Sequence, residues 1–148
     1  MDFWESFSLG QELYDRVTGP VCRQYGLTRT EFHILMFLAN NPQFDTATDI
    51  VEKRHISKSH VSVSVRSLQE RGFLTGTYRD GNRRTVYLKL NESAGPAVAD
   101  GRAAQRAFGA VLLRGFSPEE GKQMYTFALR IRDNAADYLE EEQNGSSD

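Results

Sequence analysis

The sequence predicts a mainly α-helical chain carrying one small β-hairpin, and three observations point there. Apolar residues recur at three- and four-residue steps through most of its length. Alternation with a period of two is confined to residues 73–90, where it flanks an Asp-Gly pair. The chain has 148 residues, 39% hydrophobic and 26% charged, which is the size and composition of one ordinary globular domain.

At the amino end Phe3, Phe7, Tyr14 and Val17, with Trp4 and Leu13 beside them, define a helix with a wide aromatic face. Gly19-Pro20 is expected to interrupt it, leaving a short helix over 21–25 that ends near Gly26. Thr28 stands three residues before Glu31, the spacing of a capping box, and opens an apolar helix over 29–39. Asn40-Asn41-Pro42 stops that helix. Asp45 or Thr46 caps a short helix over 47–54, and Ser57 caps the next, which runs to about Arg71 and stops at Gly72. Two alternating runs, 73–78 and 85–90, then flank Arg79-Asp80-Gly81-Asn82. In the second run Val86, Leu88 and Leu90 share one side, and Thr85, Tyr87 and Lys89 the other.

Two long helices close the chain. Val98, Ala104, Phe108 and Val111 stripe the first. Ser117-Pro118-Glu119-Glu120 opens the second with a cap, a first-turn proline and acidic residues, and Met124, Ala128, Ile131, Ala135 and Tyr138 stripe it. Residues 143–148 read as a loose tail after a frayed helix end. The order places a compact unit of three helices and a hairpin at 28–90, between outer segments 1–27 and 91–142. The outer helices carry more apolar surface than so small a unit covers, and a second copy of the chain is the economical cover.

The charge is unevenly spread. Nine basic residues lie between positions 53 and 89 against only Glu70 and Asp80, a local net of +7, whereas the rest carries −9 of a total of −2. Such a basic block suits a surface that meets a polyanion, with a plain solvated face as the alternative. Cys22 is the single cysteine, so no internal disulfide is available. The amino end has no basic and apolar leader pattern, and the longest apolar run, 34–39, is far short of a membrane span. A cytoplasmic protein without a membrane partner is expected. His33, His55 and His60 lie in no metal-ligand spacing, and no phosphate loop, nucleophile elbow or paired-acid motif is present. No catalytic residue, metal or cofactor is therefore assigned.

The helix after Ser57 resolves into two faces. Val61, Ser64, Val65 and Leu68 follow the i, i+3, i+4, i+7 pattern of a core face. Ser59, Ser62, Val63 and Arg66 lie opposite, with Lys58 and His60 at the first turn. Small side chains let a helix enter a major groove, serine hydroxyls bond bases or phosphates, and Val63 suits a thymine methyl. The amides of Ser59 and His60 are placed to hold a phosphate. A serine-rich solvent face is the alternative. The hairpin adds Arg79, Arg83 and Arg84 at its tip, which suit a narrow minor groove; arginines that only protect a strand edge are the competing account.

In these residues the sequence resembles the MarR family of dimeric winged-helix transcription factors. Tyr25-Gly26-Leu27-Thr28-Arg29-Thr30-Glu31-Phe32 is similar to the family's Gly-Leu-Thr opening of a helix, and Leu68-Gln69-Glu70-Arg71-Gly72-Phe73-Leu74 to its Leu-Glu-x-Arg-Gly-Leu-Val ending of the recognition helix. Arg83-Arg84 followed by Leu90-Asn91-Glu92 resembles its wing, and the three pieces stand in order at the family's spacing. The resemblance implies a winged helix-turn-helix core flanked by amino- and carboxy-terminal dimerisation helices. It implies a homodimer on a pseudo-palindromic double-stranded DNA operator, most often as a repressor. Residues 57–71 would be the recognition helix, with Arg83 or Arg84 in the minor groove. Two departures stand out: Asn82 replaces the family's aspartate before the wing arginines, with Asp80 as the candidate substitute, and Val63 stands where an arginine is frequent.

The resemblance also implies a small aromatic or phenolic effector held between the DNA-binding lobe and the dimerisation helices. Tyr14, Cys22, Tyr25, His33 and Met36 are the candidate lining, with ordinary core packing as the alternative. Cys22 further permits a redox-sensing regulator, and a winged helix that binds protein instead of DNA is the rival of a different class.

Overall fold

A computed structural model describes residues 2–145. The helices are α1 (Phe3–Tyr25), α2 (Arg29–Asn40), α3 (Ala47–Arg54), α4 (Lys58–Glu70), α5 (Gly95–Leu112) and α6 (Pro118–Gly145), with strands β1 (Leu74–Arg79) and β2 (Asn82–Leu90) between α4 and α5. A single 3-10 turn, Glu92–Ala94, leads into α5. The loose tail expected over 143–148 is corrected in its first part, because α6 continues through Gly145; residues 146–148 lie outside the described residues. The fold is the mainly α architecture with a hairpin wing that the sequence predicts.

The helix boundaries follow local chemistry. Thr28 and Glu31 form a complete capping box at the start of α2, as the spacing predicts. Thr46, not Asp45, caps α3, and Asp49 completes its box. The Ser57 hydroxyl accepts from the His60 amide at the start of α4. Gly72, at φ 78°, ends α4 with the Phe73 amide donating to the Leu68 carbonyl and the Gly72 amide to that of Gln69. At the carboxy end of α3 the left-handed position falls on His55, φ 52°, rather than on a glycine.

The amino-terminal region corrects the sequence reading. Gly19-Pro20 does not break the first helix, which runs unbroken through Pro20 to Tyr25. A proline costs one backbone hydrogen bond inside a helix. Here the helix is continued by tertiary packing: Val17 lies against the core and Val21 is within it, on either side of the proline. The buried Thr18 hydroxyl donates to the Tyr14 carbonyl in the same turn.

The chain divides after Gly109 into two units. The core of the first is built from the end of α1, α2, α3, α4, the wing root and the first half of α5. Phe32, Ile34, Leu35, Ile50, Val61 and Leu68 are its fully buried large side chains. Burying each stabilises the unit by roughly 1.5–3 kcal/mol. Gly101 of α5 is buried against Met36 and Phe32 of α2, at a distance that leaves no space for a Cβ. The second unit is dominated by α6, opened by a reciprocal pair in which Ser117 and Glu120 each accept from the other's amide. Its apolar side chains are largely uncovered: Tyr125 is 64% exposed, Ile131 51% and Tyr138 63%. On α1 Trp4 and Phe7 are exposed in the same way, whereas the side chain of Phe3 lies outside the description.

Candidate nucleic-acid interface

Helix α4 presents the two faces that its sequence predicts. Val61, Ser64, Val65 and Leu68 are buried, and Ser59, Ser62, Val63 and Arg66 are exposed, Val63 at 66%. Lys58 and His60 are exposed at the first turn. Ser57 is occupied as the cap and also lies 3.3 Å from the Ser59 hydroxyl. An outer face of serines, one valine and two cations is shallow enough for a groove and carries no carboxylate before Glu70.

The wing differs from its expected shape. The ladder runs in register from Leu74 opposite Leu90 to Thr77 opposite Tyr87, then jumps to Arg79 opposite Asn82. One β1 residue, Tyr78, thus faces four on β2, residues 83–86, so Arg83 and Arg84 stand on a bulge of the strand and not in the turn. The turn itself is only Asp80-Gly81. Of that pair Gly81 alone has a positive φ, 72°. Both primed turns that match strand twist need a positive φ at the first of the two positions, which Asp80 lacks, and the ladder loses register beside this turn.

Asn82 shapes the bulge. Its Oδ1 accepts from the amides of Arg84 (3.0 Å) and Thr85 (3.3 Å), and its Nδ2 donates to the Thr85 hydroxyl. Asp80 does not take the role expected of a substitute, because among the described residues it forms no ion pair with either arginine. The asparagine instead acts on the backbone, as an acceptor for consecutive amides.

The structure also sorts the basic block. The Arg71 guanidinium donates to the carbonyls of Tyr25 and Gly26, lies 3.6 Å from the buried Glu31 carboxylate and stacks on Phe73. Arg79 is paired with Asp45 at 2.6 Å and lies 3.8 Å over the Tyr87 ring. It therefore does not belong to the projecting tip cluster that the sequence suggests. Lys53 and Arg54 cover the rings of Phe44 and Phe37. Among the described residues, Lys58, Arg66, Arg83, Arg84 and Lys89 are the block's cations with neither an anion nor a ring partner. Four of these five lie on α4 or the wing bulge.

Asp45 and Arg71 are thus the residues that sequence reading passed over as parts of the site's framework. The Asp45–Arg79 pair spans 34 positions and Arg71–Glu31 spans 40, separations at which no local pattern operates.

The five candidate effector residues are brought together only in part. Tyr14 packs edge-on to His33 and Phe108, and its hydroxyl accepts from Gln105. Met36 is buried, Cys22 half-buried, and the Tyr25 hydroxyl donates to Asp100 at 2.6 Å. None of the five lines either of two open clefts: one of about 900 Å³ on α1 between Trp4 and Arg23, the other about 570 Å³ at the start of α6. Burial pushes the Cys22 thiol above its ordinary pKa, against the pull of Arg29 and Arg23. That is the reverse of the activation a peroxide-sensing thiolate needs.

Burial, reinforced by Arg54 and Arg29, holds the His33 pKa below its usual value, with Asp15 opposing. In the unfolded chain a histidine titrates near 6.5, so below about that pH the unfolded state binds a proton that the folded state does not. Stability should therefore fall as pH drops from about 6.5 through the folded pKa, and be indifferent to His33 above that range. Urea melts at pH 7.5 and 5.5 test this: His33→Asn should lose less stability between the two than the parent, and an equal loss would remove His33 as the cause.

Residues 25–84, which span the whole helix-turn-helix and most of the wing, match the family model described as MarR family. The lobe is a MarR-family winged helix. Solved structures extend the likeness of the MarR fold to the terminal helices. A MarR family transcriptional regulator from Listeria monocytogenes complexed with 26mer DNA aligns over 98% of this chain and 96% of its own, at 17% identity and a TM-score of 0.85. The S. aureus MepR–DNA complex aligns over 91% and 98%, at 19% identity and a TM-score of 0.73. A MarR transcriptional regulator from Methanosarcina mazei Go1 aligns over 90% and 96%, at 16% identity and a TM-score of 0.78. At such identities these likenesses concern the fold. A search of curated proteins returns no match. Among the described residues no cluster of metal-ligating side chains occurs and no helix is long and apolar enough to cross a membrane.

Proposed function

We propose that the chain is a DNA-binding transcriptional regulator that acts as a homodimer on a pseudo-palindromic operator. The observation that carries this reading is the sorting of the cations. Of the five cations of the basic block that have neither an anion nor a ring partner among the described residues, four lie on the outer side of α4 or on the wing bulge of this MarR-type lobe. Lys58, His60, Ser59, Ser62, Val63 and Arg66 would meet the major groove, and Arg83 and Arg84 the minor groove. Two of the structurally similar regulators were crystallised with DNA, which supports the same partner here.

Residues 28–90 would form the DNA-binding lobe, and 1–27 with 91–142 the dimerisation segments. The exposed apolar side chains of α1 and α6 support that division, since single chains rarely leave such surface open. A dimer offers one recognition helix per protomer, so half-sites are expected about one helical turn, roughly 10 base pairs, apart. Bound over a promoter in the cytoplasm, such a dimer represses, and a small aromatic or phenolic effector would relieve it. The Tyr14–His33–Phe108 cluster is the place where that effector would part packed rings.

Footprinting on the DNA upstream of the protein's own reading frame, with sedimentation of the same sample, tests this reading. A protected two-fold site and a mass of two chains are expected. A monomer, or no duplex bound at low salt, would sink it.

A further inference from the structure

We propose that Asp45 and Arg79 are positioning residues for DNA binding: their ion pair fixes the arginine bulge of the wing against the start of the helix-turn-helix. The inference rests on the DNA-binding reading above. An isolated two-stranded hairpin is marginal in water, and this one loses its ladder register beside the turn. Its outer end therefore needs an external fixing point to present Arg83 and Arg84 in one place.

Asp45 supplies that point twice. Its backbone carbonyl accepts from the Leu88 amide at 2.7 Å, close to the wing root, and Thr46 bridges to Tyr87 beside it. Its carboxylate holds Arg79, the last β1 residue before the turn and the residue opposite Asn82. The guanidinium completes the tie by lying on the Tyr87 ring, so both strands are held by one cation. On the other side of Asp45 comes Thr46, the cap of α3. One loop thus registers both the wing and the first helix of the helix-turn-helix. Among the described residues Arg79 is the wing's only side chain in an ion pair. With its charge matched by Asp45, it adds little to the attraction for phosphate.

The sign of one substitution separates this role from direct contact. If Arg79 touched DNA, Asp45→Asn would remove a competing anion and tighten binding. If the pair is a brace, Asp45→Asn must weaken it. The probe is a duplex selected from random sequence by the parent protein, titrated at several salt concentrations, with thermal melts to confirm folding. Expected are losses of roughly threefold or more for both Asp45→Asn and Arg79→Gln, a double variant no weaker than either alone, and partial recovery in the Asp45→Arg/Arg79→Asp exchange. Tighter binding by Asp45→Asn, or parental affinity in both single variants, would overturn the proposal. A parent chain that selects no duplex would overturn the DNA reading and this inference with it. That result is distinct from failure of the brace alone, in which the parent binds and its variants bind equally well.

Discussion

Changing Arg83 and Arg84 together to alanine should weaken duplex binding roughly 10- to 100-fold, as expected for contacts worth about 1–3 kcal/mol. It should also lower the magnitude of the log–log salt slope by about 0.9 for each phosphate no longer neutralised. Both side chains are exposed on the β2 bulge and form no ion pair among the described residues, so the folded state should be little affected. Binding titrations at several salt concentrations, with a thermal melt as control, read both effects. An unchanged slope with reduced affinity would mean that the arginines shape the wing and do not meet phosphate. Unchanged affinity would remove the wing from the mechanism.

The second large effect is on stability, and its sign is opposite to what helix propensity suggests. Gly101 lies inside α5, where exchange of glycine for alanine ordinarily stabilises by about 1 kcal/mol. Here the added Cβ would collide with the Met36 sulfur and come within 3.1 Å of the Phe32 ring. Met36 is 3% exposed and Phe32 1%, so neither has solvent to move into. Overpacking of this kind costs about 1–3 kcal/mol, which exceeds the propensity gain. Gly101→Ala should therefore lower the urea midpoint, and trimming the neighbour in Met36→Ala/Gly101→Ala should return part of the loss relative to Met36→Ala alone. A raised midpoint for the single variant would show that α2 and α5 give way easily.

Helix α4 was legible in the sequence because its information is local. A hydroxyl at Ser57, four core positions at helical spacing and Gly72 after the last turn specify its start, faces and end within about 15 residues. The capping box of α2 was legible for the same reason. Pro20 shows where such reasoning stops. Local chemistry favours a break there, and the break is overridden by the packing of Val17 and Val21 on a core whose members lie elsewhere in the chain. At the wing the Asp-Gly pair correctly announced a hairpin. The slip of register depends on the torsion angles adopted, which the pair of residue types alone does not fix.

The candidate interface divides in the same way. That the surface is basic could be counted from the chain, but Arg79 and Arg83 are the same residue type four positions apart. Only the fold brings Asp45 to one and leaves the other without an anion among the described residues. Charge number is a property of composition, whereas charge availability depends on what each cation meets in space.

By itself, the sequence determined the helices of the central lobe, which face of each is apolar and where the hairpin turns, because periodicity and capping act over a few residues. The tertiary structure alone decided which cations remain available and why α5 carries a glycine at 101. Those outcomes depend on groups brought together from distant parts of the chain, and such proximity is created by the packed core.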